Sequence, residues 1–293
     1  MGKIAYSSGF VNVLKPTGMT SSDVVVSIKK ILGIKKVGHL GTLDPAASGV
    51  LPIAFGKATK LFNYFLNKEK KYVAIVQFGI ETDTLDSFAN ITNINDKKTT
   101  RADINKKIKL FLGKIKQTPP KYSAVKINGK KAYDLARAGK KVEIESREIE
   151  IYSIKVLDEL TQNRFRFEVH CSAGTYIRTL FDDIARVLDT RATTMAIIRT
   201  KSGSFSIENA LTLDELRNEI KTISIEDALY GVKRYEIVDK ELLKKIINGV
   251  KIQKNEIDID ICDDKFLITN HDKIIGLYYF DKNRLECEVF LLD

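Results

Sequence analysis

Histidine and cysteine are scarce in this chain: three of each occur in 293 residues, widely spaced and without a CxxC pair. The odd set Cys171, Cys262 and Cys287 argues against a disulfide framework, and the scattered His39, His170 and His271 argue against a zinc site. No metal centre is expected. Glycine and proline are also few, at 17 and 5, while apolar side chains make up 44% and charged ones 29%, a composition that excludes intrinsic disorder. No window approaches 18 uninterrupted apolar residues, and the start, MGKIAYSSGF, has no apolar run of the signal-peptide kind. Neither a membrane span nor export is expected, and the cytoplasm is the expected location.

What the chain has in excess is positive charge. Its 48 Lys and Arg stand against 38 Asp and Glu, a net charge of +10. Residues 233–293 hold 11 basic and 13 acidic side chains, which places +12 on residues 1–232. Such a field suits a polyanion partner, because Lys and Arg gain by displacing counterions condensed on phosphates. A lysine-rich solubilising surface accounts for it equally well. The length fits one large domain, 1–231, followed by a small one, 232–293.

Hydrophobic periodicity supplies a coarse order of elements. FVNVL (10–14) reads as a strand ending in the turn signal Lys15-Pro16-Thr17-Gly18. A helix follows, with Val24, Val25, Ile28, Ile31 and Leu32 on one face, Ser21 or Ser22 as cap, and Gly33 as its stop. VLPIAF is strand-like, and Ala58, Leu61, Phe62 and Phe65 mark a short helix. Along 71–78 the residues Tyr72, Ala74, Val76 and Phe78 share one side of a strand, whereas 81–100 reads as an exposed polar excursion. A helix is expected over 101–115, from Ile104, Ile108, Phe111, Leu112 and Ile115. Strands are expected over 142–157 and 164–171, and then a helix capped by Thr175 that puts Arg178 in its first turn. After Gly231, the runs KFLIT, IIGLYYF and CEVFLL suggest a small β-rich unit.

The segment GHLGTLDPAASG (38–49) follows neither period and reads as a constrained loop, the place to look for function. It carries one carboxylate, Asp44, one imidazole and little bulk, so a ligand can approach closely. Pro45 biases Asp44 toward extended geometry. Local chemistry leaves two roles open for Asp44, a turn cap or a catalytic group, and no second carboxylate lies nearby for paired acid and base work.

GHLGTLDPAASGVLPIAFGKAT resembles the motif II region of the TruB family of pseudouridine synthases. Four further stretches are similar to that family in the same order: NVLKPTGMTSSDVV, KKYVAIVQFGIETDTLD, TPPKYSAVKINGKKAYDLARAG and CSAGTYIRTLFDDIA. The resemblance spans about residues 9–207. It implies an α+β pseudouridine synthase fold, a mixed, largely antiparallel sheet flanked by helices, with a C-terminal domain that is PUA-like. It also implies a cofactor-free isomerisation of uridine to pseudouridine at position 55 in the T loop of tRNA. The target base is flipped out, and its glycosidic bond is broken at N1 and re-formed at C5.

By the same resemblance Asp44 is the catalytic aspartate, Arg178 is the arginine that pairs with it, and Tyr72 stacks on the flipped base and offers a proton acceptor or relay. His39 and Tyr176 match residues near the bound nucleotide. Ile197 matches an apolar position in the site, and Lys15 and Lys60 match basic residues that could contact phosphate. Ile198 departs from the family pattern, where an arginine is frequent. The implied partner is the T arm of tRNA, bound by a monomer with no guide RNA. Two relatives in function compete with this reading. A guide-dependent enzyme predicts partner-binding extensions, and a silent RNA chaperone predicts loss of Asp44 or Arg178, both of which are present.

Overall fold

The computed structural model describes residues 7–123, 125–127, 129–132, 135, 138, 144–257, 259 and 264–292. Cys262, residues 142–143 of one expected strand and much of KINGKKAYDLARAG lie outside them.

The first half of the chain supplies β1 (Gly9–Lys15), β2 (Val37–His39), β3 (Ser48–Phe55), β4 (Lys70–Phe78), β5 (Ile80–Thr82), β6 (Ile91–Ile94) and β7 (Gly113–Gln117). A short ribbon of β8 (Lys126–Ile127) and β9 (Lys130–Lys131) follows, then β10 (Arg147–Thr161), β11 (Arg164–Cys171), β12 (Ala192–Ser202) and β13 (Phe205–Ser206). The main sheet runs β1-β3-β12-β4-β11-β10-β7, with β2 added to β3 and β13 to β12. Its β3–β12 pairing is parallel and the other ladders are antiparallel. The sheet is therefore mixed and largely antiparallel, as the resemblance implies.

Period-two patterning decides which face is covered. Tyr72, Ala74, Val76 and Phe78 of β4 and Phe165, Phe167, Val169 and Cys171 of β11 are buried together. The helices Ser21–Leu32 and Ile177–Val187 cover that face with Val24, Ile28 and Leu32 and with Ile177, Leu180, Phe181 and Ile184. Each such side chain contributes about 1.5–3 kcal/mol on burial. This cluster fixes the relative positions of β4, β12 and the start of the second helix, from which the site described below is built.

Four expectations are corrected. The first helix is capped by Thr20, not by Ser21 or Ser22: Thr20 Oγ1 accepts from Asp23 N at 3.1 Å, and Thr20 N donates to the Asp23 carboxylate at 2.9 Å. Ser21 turns inward to the loop instead. The helix expected to reach Ile115 stops at Lys107, continues as a 3-10 turn over Ile108–Phe111, and breaks at Gly113 (φ 82°). Ile115 then pairs with Ile149 as part of β7, because the edge of β10 offers a ladder. The polar stretch 81–100 is not a plain excursion, since it forms the β5–β6 hairpin and buries Thr82 and Asp86. Thr175 donates to Ser172 O at 3.1 Å, while Tyr176 precedes the helix without a side-chain cap.

The C-terminal strands β14 (Arg234–Glu236), β15 (Phe266–Asn270), β16 (Lys273–Asp281) and β17 (Arg284–Phe290) form a second sheet in that order. Phe266, Ile268 and Tyr278 pack against Ile237 and Ile246 on one side. Leu267, Leu277 and Val289 pack on the other side in one cluster with Phe10, Val50, Ala54 and Phe205 from the main sheet region. Among the described residues no helix is long and apolar enough to cross a membrane.

Gly49 is the second residue of β3, beside β12, and its φ of 109° is one that side-chain-bearing residues rarely adopt. A Cβ there would lie 2.3 Å from the Arg199 carbonyl oxygen. Gly49→Ala is expected to destabilise the protein by about 2 kcal/mol or more. A urea midpoint unchanged from wild type would contradict this close approach.

Candidate active site

The loop between β2 and β3 is held from three directions. Ser21 Oγ accepts from Leu43 N at 2.9 Å and donates to Leu43 O at 3.0 Å. On the far side of Asp44, Gly18 N donates to Pro45 O at 2.8 Å, so the Lys15–Gly18 turn fastens the loop. From below, Arg199 of β12 donates from Nε to Val50 O at 2.7 Å, from Nη1 to Thr42 O at 3.2 Å and from Nη2 to Gly41 O at 3.4 Å. Arg199 is 2% exposed, so these carbonyls compensate a charge almost wholly removed from water. The loop is thus rigid on both sides of its carboxylate.

Arg178 arrives at that carboxylate from the first turn of the helix Ile177–Val187. Its Nη2 lies 2.6 Å from Asp44 Oδ2, and its Nη1 lies 3.7 Å from Asp86 Oδ2. The remaining donors reach Thr84 O at 2.6 Å and Tyr122 O at 3.3 Å. A guanidinium 4% exposed is therefore held between two carboxylates and two carbonyls, and its fork fixes the direction in which Asp44 points. Asp44 itself keeps about a third of its side chain exposed and opens onto a cavity of about 560 Å3. That volume suits a small-molecule or nucleoside-sized occupant.

Six of the eight residues singled out in the sequence line this cavity: His39, Asp44, Tyr72, Tyr176, Arg178 and Ile197. Burial pushes the Tyr72 hydroxyl up to about 12, with the nearby Arg199 guanidinium opposing the shift. At neutral pH it is a neutral phenol, and its oxygen accepts from the Arg199 guanidinium. Burial, reinforced by Arg199, holds His39 below the usual histidine range, and its Nδ1 is enclosed without a partner. The Tyr176 backbone is gripped by Gln117, whose amide accepts from Tyr176 N at 2.8 Å and donates to Tyr176 O at 3.1 Å. The Arg147 guanidinium lies 4.9 Å from the centre of the Tyr176 ring. Ile197, nearly buried, supplies apolar wall.

The two lysines stand elsewhere. Lys15 is wholly buried and donates to Pro16 O and Met19 O, each at 2.7 Å, so it braces the turn under the loop and cannot meet a phosphate. Its burial pulls it down to about 8, an effect that Asp44 partly offsets. Lys60 donates to Phe290 O of β17 at 2.9 Å and ties the main body to the C-terminal sheet, outside the cavity. Ile198 is half-buried on β12 between Ser48 and Val73. Sequence reasoning missed Asp86, Gln117, Arg147 and the role of Arg199. Asp86 lies inside the TDTLD segment and Gln117 next to TPPKYS, so their places near recognisable motifs were the available signals.

The sequence profile described as TruB family pseudouridylate synthase (N terminal domain) matches residues 29–177. The chain belongs to the TruB family. Curated TruB relatives include tRNA pseudouridine synthase B of Clostridioides difficile, 42% identical over 93% of this chain and 94% of that one. The protein of the same name from Clostridium novyi is 40% identical over 97% and 100%. Among solved structures, a Cbf5-Nop10-Gar1 complex superposes with a TM-score of 0.71 at 29% identity, over 93% of this chain and 78% of that one. An H/ACA RNP bound to a substrate RNA containing 2'-deoxyuridine gives 0.71 at 26% identity, over 97% and 85%. The TruB chain described here is thus a pseudouridine synthase, an isomerase, with the pseudouridine synthase fold.

Arg178→Lys keeps the charge but removes the fork that aims Asp44. Pseudouridine formation at saturating RNA is expected to fall by about 100-fold or more, since small displacements of a reacting group carry such a penalty. RNA affinity should stay within about threefold of wild type. Near-normal single-turnover rates in this variant would sink the positioning role.

Proposed function

We propose that this enzyme isomerises the uridine at position 55 in the T loop of tRNA, with Asp44 as the carboxylate that acts on the flipped nucleotide. The observation that carries the reading is the 2.6 Å pairing of Asp44 with the buried Arg178 at the wall of a nucleoside-sized cavity. A tRNA substrate is supported by relatives named tRNA pseudouridine synthase B at about 40% identity over nearly their whole lengths.

The chemistry needs no external reactant. Asp44 acts on the ribose, the bond from C1' to N1 breaks, and the freed uracil turns within the cavity. C5 then bonds to C1', the C5 proton leaves, and N1 takes up a proton. Atoms and electrons balance between uridine and pseudouridine, so a redox cofactor has no role in the step. Tyr72 stacks on the extruded base, an interaction contributing about 1–3 kcal/mol per base. As a neutral phenol it acts as donor or relay, and a phenolate base is not available near pH 7. His39, Tyr176 and Ile197 shape the remaining walls, and extrusion of the base into such a pocket is the expected route to an atom otherwise stacked. On the same reading the enzyme works as a cytoplasmic monomer without guide RNA, and residues 232–293 form a PUA-like RNA-binding domain.

A T-arm transcript carrying tritium at C5 of the target uridine tests the proposal. Wild-type protein is expected to release tritium with neither guide RNA nor chelatable metal present beyond what folds the RNA. Asp44→Asn should release none above background while binding the transcript with nearly unchanged affinity, because phosphate contacts dominate affinity. A wild-type enzyme silent on the T arm would refute the substrate, and an active Asp44→Asn would refute the assignment of the carboxylate.

A further inference from the structure

The cations in the cavity wall are not equally occupied. Arg178 is spent on Asp44, Asp86 and two carbonyls, and Arg199 on three carbonyls of the loop and β3. Lys70 donates to Leu66 O and Lys68 O, each at 2.5 Å. Arg147, the first residue of β10, differs from all three. Its Nη2 donates to Gly174 O, and its guanidinium is seated on the Tyr176 ring. Its Nε is enclosed without any acceptor, and no carboxylate among the described residues pairs with it.

This seat is built rather than incidental. Gly174 has a φ of 83°, and a Cβ there would stand 3.3 Å from the Arg147 guanidinium carbon, so a glycine makes room for the arginine to lie flat. Tyr176, the platform beneath it, has its backbone fixed by Gln117 on both polar atoms. An enclosed N–H without acceptor costs free energy unless a ligand supplies one. A guanidinium held flat against an aromatic ring, with no carboxylate partner among the described residues, suits a phosphodiester better than a neutral base, because only the phosphate answers both the donors and the charge.

We propose that Arg147 is a substrate-contact residue that receives a phosphate of the RNA next to the flipped nucleotide, with Tyr176 holding the guanidinium in place. The inference rests on the reading of the T arm as substrate. The phosphate enters along the wall formed by Ala173–Tyr176 and meets the open edge of the half-buried guanidinium, while the base goes deeper toward Tyr72. Arg147 then registers the backbone of the extruded nucleotide, which is how phosphate contacts orient a nucleic acid without reading its sequence.

The experiment is a cycle between Arg147→Met and single methylphosphonates placed at each phosphate flanking the target uridine in a T-arm transcript. In wild-type protein, neutralising one particular phosphate is expected to weaken binding about tenfold. In Arg147→Met the same substitution should cost nothing further, and the slope of log affinity against log salt should fall by about one. Arg147→Lys, which keeps stem and charge, should retain the salt slope and serves as the folding-tolerant partner variant. Additive losses at every phosphate in both variants, or an unchanged salt slope in Arg147→Met, would overturn the proposal. Because wild-type tritium release from the unmodified transcript is measured alongside, failure of the Arg147 contact is distinguished from failure of the T-arm reading.

Discussion

A buried guanidinium between two carboxylates is the constraint on which the site depends. Arg178 is almost withdrawn from water, and its charge is tolerable there only because Asp44, Asp86 and two backbone carbonyls surround it. Removing one partner of such a pair leaves an uncompensated buried charge, at a cost of about 3–5 kcal/mol. The arrangement therefore ties the conformation of three distant segments together: the loop of Asp44, the hairpin of Asp86, and the stretch around Tyr122. Asp44 is partly open to the cavity while its partner is not, so the direction of the carboxylate at the cavity wall is set by the interior of the protein.

The same logic extends one layer down. Arg199 supports the loop from β12 by donating to backbone carbonyls, and Lys15 does likewise for the turn that fastens Pro45. Two charges buried for structural reasons lie near a third, Arg178, that holds the Asp44 carboxylate. Burial, reinforced by the Arg199 charge, holds both His39 and Lys70 below their usual ranges. The positive field of residues 1–232 is thus divided between surface charge suited to RNA and interior charge that holds the site.

Much of this was legible in the sequence where periodicity or its absence carries a physical signal. β4 and β11 were readable because every second side chain faces one covered layer, and the Asp44 loop was readable because it has no period and little bulk. Arg178 was placed in the first turn of its helix by the break at Ser172–Gly174. What could not be read is burial of residues whose chemistry argues for exposure. Nothing in Lys-Pro-Thr-Gly says that the Lys15 amine points inward, and nothing in Arg199-Thr200 says that three carbonyls await the guanidinium. Thr20, Ser21 and Ser22 are three adjacent hydroxyls, so the cap could be assigned only when Ser21 was seen committed to Leu43. Asp86 was hidden because a run of Asn, Thr and Asp has the composition of solvent-exposed chain, although tertiary contact folds it against Arg178.

The central claim is that Arg178 aims Asp44 at the ribose of an extruded uridine. The direct measurement is the structure of the complex with a T-arm RNA whose target uridine binds but does not react. The account predicts the Asp44 carboxylate within about 3–3.5 Å of the ribose atom on which it acts, a near-attack distance, with the Arg178 pairing intact and the base against Tyr72. A ribose held out of reach of Asp44, or a complex in which Arg178 has left the carboxylate, would contradict it.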